Sequence, residues 1–153
     1  MTAVVSPFTG RVVPLDDVED DVFSDRVMGD GVAVVPSEGR VVAPLAGTIG
    51  KLFEGGHGFA IETADGLQVL VHIGLETVHL KGDGFDVHAS EGDEVGEGDD
   101  MVTVDLDRMR ELEIDMVSPV VVISGEAVKV TATDEVGSGE PLLEVDAGSS
   151  GEP

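Results

Sequence analysis

Ser6-Pro7-Phe8-Thr9-Gly10-Arg11-Val12-Val13-Pro14-Leu15 is echoed 37 positions later by Ala43-Pro44-Leu45-Ala46-Gly47-Thr48-Ile49-Gly50-Lys51-Leu52, which repeats the Pro, the Gly, a β-branched residue and the closing Leu. Both stretches read as a turn feeding a strand. A second echo follows: Glu94-Val95-Gly96-Glu97-Gly98 and the run through Val104-Asp105 return 41 positions later as Glu135-Val136-Gly137-Ser138-Gly139 and Val145-Asp146. Either echo alone is also what two Gly-bounded hairpins share by chance. Together they predict an all-β fold, an antiparallel β-sandwich or barrel with internal pseudo-duplication.

The rest of the chain carries the same punctuation. Val/Ile/Leu-rich runs at Val32–Val35, Phe59–Ile61, Leu67–Ile73, Met101–Val104, Val117–Ile123 and Leu142–Val145 are separated by Gly, Pro and Asp clusters. One helix is expected over 105–112, with Asp105 as its cap and Leu106, Met109 and Leu112 at helical spacing. A second short helix is expected over Val22–Val27. The 153 residues fit a single domain spanning 1–153, with a core of about 4–146 and frayed tails at 1–3 and 147–153.

Charge limits the partners. Asp and Glu number 32 against 8 Lys and Arg, a formal charge of −24, so a nucleic-acid backbone or an anionic membrane surface would be repelled. The acids are spread along the chain instead of forming a tail. That is the pattern of a salt-rich cytoplasm, as in a halophile, and an ordinary acidic bacterial protein is the other reading. Cysteine is absent, which removes disulfides, thiolate metal sites and Cys nucleophiles. No uncharged stretch approaches the ~20 residues of a membrane span, and no basic region precedes an apolar run at the N-terminus. The expectation is a cytoplasmic, monomeric protein without membrane insertion.

His57, His72, His79 and His88 are then the best neutral nucleophiles or bases near pH 7. In Leu67-Gln68-Val69-Leu70-Val71-His72-Ile73-Gly74, period-two alternation puts Val69, Val71 and Ile73 on one face and His72 on the other. Gly74 projects no side chain there, which reads as room for a phosphoryl group beside the imidazole. His57 lies in Gly55-Gly56-His57-Gly58-Phe59, where glycines permit close approach and equally serve any tight hairpin. By residue type alone, each of the two is as well explained by a hydrogen-bonded histidine of a strand or turn. His79 and His88 sit in polar surroundings and read as surface residues.

Longer motifs carry a resemblance. Val22-Phe23-Ser24-Asp25-Arg26-Val27-Met28-Gly29-Asp30-Gly31-Val32-Ala33, Ala43-Pro44 through Gly47-Thr48-Ile49, His57-Gly58-Phe59, Val71-His72-Ile73-Gly74-Leu75-Glu76-Thr77-Val78 and Leu80-Lys81-Gly82-Asp83-Gly84-Phe85 occur in order. From about Val4 to Val145 the chain resembles the glucose-type IIA component of the phosphoenolpyruvate-dependent sugar phosphotransferase system. The resemblance implies a duplicated β-sandwich, phosphorylation of His72 on Nε2, support of transfer by His57, and a tautomer fixed by the carbonyl of Gly74. It implies a docking face of Phe23, Val27, Met28, Phe53, Phe59, Leu70 and Val78, rimmed by the acids Asp20 and Glu76. One position departs: the family usually has Thr, part of the active-site hydrogen-bond network, where this chain has Gly55.

The partners so implied are an HPr-type phosphocarrier protein as donor and the IIB domain of a sugar permease as acceptor. Since this chain has no Cys, the acceptor cysteine lies on another chain. The different-class alternative is a regulatory binding module, whose docking to transporters or kinases is switched by phosphorylation of His72. No cofactor is expected beyond the transient phosphate, and no intrinsic metal site, because two imidazoles fall short of a zinc ligand set. His57 and His72 could form a zinc pair only where a partner adds a carboxylate at the interface. A zinc peptidase built on His-x-His is disfavoured, because position 74 is Gly.

Overall fold

Stiff β-branched side chains favour a pleated surface, and the Val- and Ile-rich runs form strands throughout the computed structural model, which describes residues 2–75 and 77–146. The strands are β1 (Thr2–Val5), β2 (Gly10–Pro14), β3 (Asp30–Pro36), β4 (Arg40–Val42), β5 (Gly47–Leu52), β6 (Gly58–Glu62) and β7 (Gln68–His72). They continue with β8 (Phe85–Val87), β9 (Glu94–Val95), β10 (Asp100–Val104), β11 (Ser118–Val122), β12 (Val128–Val130), β13 (Glu135–Val136) and β14 (Pro141–Val145). All pair antiparallel. The large sheet has the order β13-β2-β3-β11-β7-β6-β5-β9, and two three-stranded sheets run β1-β14-β12 and β4-β10-β8.

The sequence echoes are repeated hydrogen bonds. At one edge of the large sheet Val136 pairs with Gly10; at the other, Val95 pairs with Gly47. Ser6 N donates to Glu140 O and Ala43 N to Asp99 O, each at 2.8 Å. Gly139 N donates to Ser6 O and Gly98 N to Ala43 O, each at 2.9 Å. The two halves also cross over: Val5 N donates to Pro44 O, and Val42 N to Pro7 O, both at 3.0 Å. The pseudo-duplication is therefore built into the backbone.

Alternation along β7 divides the core. Val69, Val71 and Ile73 join Phe8, Ile49, Phe59, Ile61, Met101 and Val120 in the main cluster, whereas Leu70 joins Leu15, Phe23, Ala33 and Val121 in a second one. Two docking-face expectations are corrected here. Phe59 is 0% and Leu70 2% exposed, so neither offers surface to a partner. Phe59 stands opposite Val71 in the β6–β7 ladder and points with it into the main core.

Helix α1 covers Asp21–Ser24, with Asp20 Oδ1 accepting from Val22 N at 3.0 Å. It is shorter than expected because Arg26 takes a left-handed conformation, φ 58°, and is held there by ion pairs to Asp16 and Asp30 at 2.8 and 2.9 Å. Helix α2, Leu106–Glu111, follows the expected cap at Asp105, whose Oδ1 accepts from Arg108 N, and buries Met109 completely. Thr2 and Ala3, expected to fray, pair with Val145 and Glu144 instead. The expected fraying over 147–153 lies outside the described residues.

Phe59→Ala should lower the free energy of unfolding by about 3–5 kcal/mol, the cost of emptying a closed aromatic site. Urea unfolding checks this, and a loss under about 1 kcal/mol would contradict its place in the core.

Candidate functional site

The β5–β6 hairpin delivers the first histidine. Phe53 N donates to Gly58 O and Gly56 N to Phe53 O, both at 2.9 Å, and the turn passes through Gly55 and Gly56 at φ 90° and 89°. A Cβ on Gly56 would lie 2.3 Å from Val87 Cγ2, so the chain comes close to β8 only because that position is glycine. His57 follows, 7% exposed, and Ile73 N donates to its carbonyl at 2.7 Å. Its neighbour Gly58 is the ladder partner of His72. His57, in the turn just before β6, therefore faces His72 at the end of β7, with ring centroids 5.4 Å apart and planes at 72°.

Each ring is anchored through Nδ1. His72 Nδ1 lies 2.6 Å from Gly74 O, and His57 Nδ1 lies 3.2 Å from Glu54 O. A carbonyl only accepts, so the tautomer assigned to each ring carries its proton on Nδ1 and leaves the Nε2 lone pair bare. Phe23 packs on His72 at 5.5 Å, and Phe53 reaches both rings, 5.2 Å from His57 and 6.3 Å from His72. Gly58 permits this, since a Cβ there would lie 2.6 Å from Phe53 Cδ2.

Gly74 supplies the carbonyl expected to fix the tautomer, but not the expected room. It does not open space beside the imidazole: a Cβ there would lie 2.8 Å from Thr77 Cγ2 and 3.1 Å from Met116 Sδ. Its φ of 74° is what turns the carbonyl back toward His72.

Burial dominates the electrostatics. It lowers the pKa of both histidines below the ordinary imidazole value, outweighing the carbonyl bonds that oppose it. For His72 the neighbouring His57 adds to the lowering and Asp20 counters it. Both rings are neutral at pH 7, as a nitrogen nucleophile requires.

Of the expected docking-face residues, Val27, Met28 and Val78 are exposed by 73%, 38% and 52%, with Phe53 and the rim residue Asp20 half-buried and Phe23 largely covered. Val22, 43% exposed beside Phe23 on α1, belongs to the same apolar set and was not anticipated. Its signal was an apolar residue in the first turn of a short helix. Glu76 lies outside the described residues. His79 and His88 are exposed, the latter with Nε2 2.7 Å from Thr103 Oγ1. No group of three or more His, Asp or Glu suited to a metal ion occurs among the described residues. Likewise, none of the described helices is long and apolar enough to cross a membrane. The acceptor role of Glu54 was illegible because it uses the backbone.

Comparison with known proteins agrees with this geometry. Residues 2–128 match the family described as phosphoenolpyruvate-dependent sugar phosphotransferase system, EIIA 1. The glucose-specific EIIA components of Bacillus cereus and Halalkalibacterium halodurans are each 42% identical, over 85% and 92% of this chain and 79% and 83% of theirs. The glucose-specific EIICBA component of Streptococcus pneumoniae is 45% identical over 88% of this chain, which spans only 19% of that longer protein. The structure of glucose permease IIA from Mycoplasma capricolum superposes with a TM-score of 0.88 at 35% identity, covering 92% of this chain and 93% of that one. With its family match, its relatives and its fold in agreement, this chain belongs to the EIIA 1 family of the phosphoenolpyruvate-dependent sugar phosphotransferase system.

Proposed function

We propose that His72 carries a phosphoryl group on Nε2 between an HPr-type phosphocarrier protein and the cysteine of a IIB domain. The observation that carries this reading is the 2.6 Å bond from His72 Nδ1 to Gly74 O, which leaves Nε2 bare beside His57. In the uptake step the Nε2 lone pair forms a new N–P bond as the P–N bond of the donor's phosphohistidine breaks, its electron pair returning to the donor ring. His72 keeps its Nδ1 proton, and the Gly74 carbonyl offsets the positive charge on the phosphorylated ring. In the onward step a IIB thiolate forms the P–S bond and the N–P electron pair returns to His72. His57 can donate from Nε2 to a phosphoryl oxygen only after taking up a proton, which the incoming negative charge favours.

The relatives' names make glucose the first sugar to test, in a cytoplasmic, monomeric carrier. The exposed apolar rim also suits the regulatory reading, in which close to two negative charges arriving on His72 would switch docking to a transporter or kinase. The two Nε2 atoms would supply half of a zinc ligand set, the remainder coming from a partner.

Incubation with a phosphoenolpyruvate-driven donor system and the general phosphocarrier should place one acid-labile phosphate on His72. His72→Gln should take up none, and label surviving in that variant or mapping to His79 or His88 would refute the assignment. His57→Gln should accept phosphate yet pass it on poorly, because an amide donates a hydrogen bond but cannot take up and release a proton. Loss of acceptance with donation intact would reject that role.

Because both histidines titrate below the ordinary value of about 6.5, the native state binds fewer protons than the unfolded chain just below that pH. Stability therefore falls as pH drops from about 6.5 through the native titration points, and levels off beneath them. Ring-proton NMR titration should give both midpoints below 6.5, and midpoints at or above it would contradict the burial argument.

The charge of −24 supports a salt-rich cytoplasm, where the Debye length shrinks to about 3 Å at 1 M and self-repulsion is screened. The melting temperature should then rise between 0.1 and 3 M KCl; a flat or falling curve would rule this out.

A further inference from the structure

We propose that Ser118 and Thr77 are positioning residues, two buried hydroxyls that grip the Ile73–Gly74 peptide at both ends and so aim the Gly74 carbonyl at His72 Nδ1. The inference rests on the reading of His72 as the phosphorylated residue. Thr77 Oγ1 donates to Ile73 O at 2.7 Å, and Gly74 N donates to Ser118 Oγ at 3.0 Å. These are the carbonyl and the N–H of one peptide unit. The next unit, which carries the carbonyl that meets His72, is held through Leu75 N, donating to Asp115 O at 2.8 Å.

The grip is tied to the sheet. Ser118 opens β11, paired with Val34 of β3, and its hydroxyl hydrogen goes to Met116 O at 2.8 Å while its lone pair receives Gly74 N. Val117 N donates to Asp115 Oδ1 at 3.0 Å, which closes the 115–118 turn behind the glycine. Ser118 and Thr77 are 0% and 1% exposed, so water has no access to replace either hydroxyl. Glycine has the widest backbone freedom of any residue, and at φ 74° only outside contacts select its conformation. With either hydroxyl removed, a buried N–H or C=O loses its partner, and rotation of that peptide is the available relief. Rotation there changes φ at Gly74, on which the direction of the next unit's carbonyl depends, so that carbonyl would swing from Nδ1 and admit the tautomer whose proton sits on Nε2, where it blocks attack.

The test uses the full chain with 15N-labelled histidine, in Ser118→Ala and Thr77→Val, with Ser118→Thr and Thr77→Ser as rescues. The imidazole 15N shifts should show the native His72 as the Nδ1–H form, and both hydroxyl-deleted variants as mixtures. His57, anchored separately by Glu54, should not change. Phosphate uptake at saturating carrier should fall roughly ten-fold, about the loss of one oriented hydrogen bond, with half-saturation unchanged, and each rescue should restore both readouts. Should Ser118→Ala fail to fold, Thr77→Val carries the same measurement. An unchanged His72 tautomer in folded variants, or equal changes at His57 and His72, would overturn the proposal. Label persisting in His72→Gln would instead overturn the phosphorylation reading, leaving the tautomer result standing.

Discussion

The hydrogen bond from His72 Nδ1 to the carbonyl two residues along its own chain constrains everything around it. A strand that continued past His72 would carry that carbonyl into the ladder, away from the ring. The chain must leave the sheet at once, and Gly74 at φ 74° makes the turn. The bond then does two things: it sets the tautomer and fixes the ring plane. At 2.6 Å it is at the short end for an N–H to carbonyl contact.

Duplication explains where such a site can form. The two halves repeat their edge ladders and turn bonds closely, so neither half alone has a cause to differ. The difference enters through what is attached to the repeated frame. The turn after β5 passes through Gly55 and Gly56 and carries Phe53 and His57, while α1 brings Phe23 over His72. Aromatic cover removes water from the rings, and that keeps both imidazoles neutral at pH 7. The character of the site thus arises from two local additions to the duplicated frame.

Much of this was readable beforehand. The echoes at 37 and 41 positions marked the equivalent strands because turns demand Gly and Pro wherever the backbone repeats. The cap at Asp105 and the face of His72 followed from periodicity. Other features had no local signature. Arg26 ends α1 through its pairs with Asp16 and Asp30, a three-way contact invisible to helical spacing. Phe59 looked like a surface aromatic next to a functional histidine, yet strand alternation sends it to the core with Ile61. Gly74 was singled out for its carbonyl, which lies where the resemblance implied, and for empty space, which Thr77 and Met116 already fill, while the backbone angle that aims the carbonyl went unread. Positive φ, unlike a missing side chain, is set by residues distant in sequence.

Gly55, where the family resemblance leads one to expect Thr, shows how a lost hydroxyl is balanced by backbone packing. Its φ is 90°, a conformation that β-branched residues adopt only under strain. A Cβ there would lie 2.8 Å from Gly82 N and 3.2 Å from Lys81 C, both backbone atoms unable to swing aside as a side chain could. Threonine is thus excluded from this backbone, and the hydroxyl's task falls to other atoms. Glu54 O holds His57 Nδ1, and the ring of Phe53, given room by the absence of a Cβ on Gly58, packs on the imidazole at 5.2 Å with a 35° tilt. Holding His57 at Nδ1 by a main-chain acceptor leaves its Nε2 clear of that bond, as the proposed support role of the ring needs. The glycine-rich turn therefore keeps His57 in place through the shape of its own backbone, with Nδ1 on the carbonyl of Glu54.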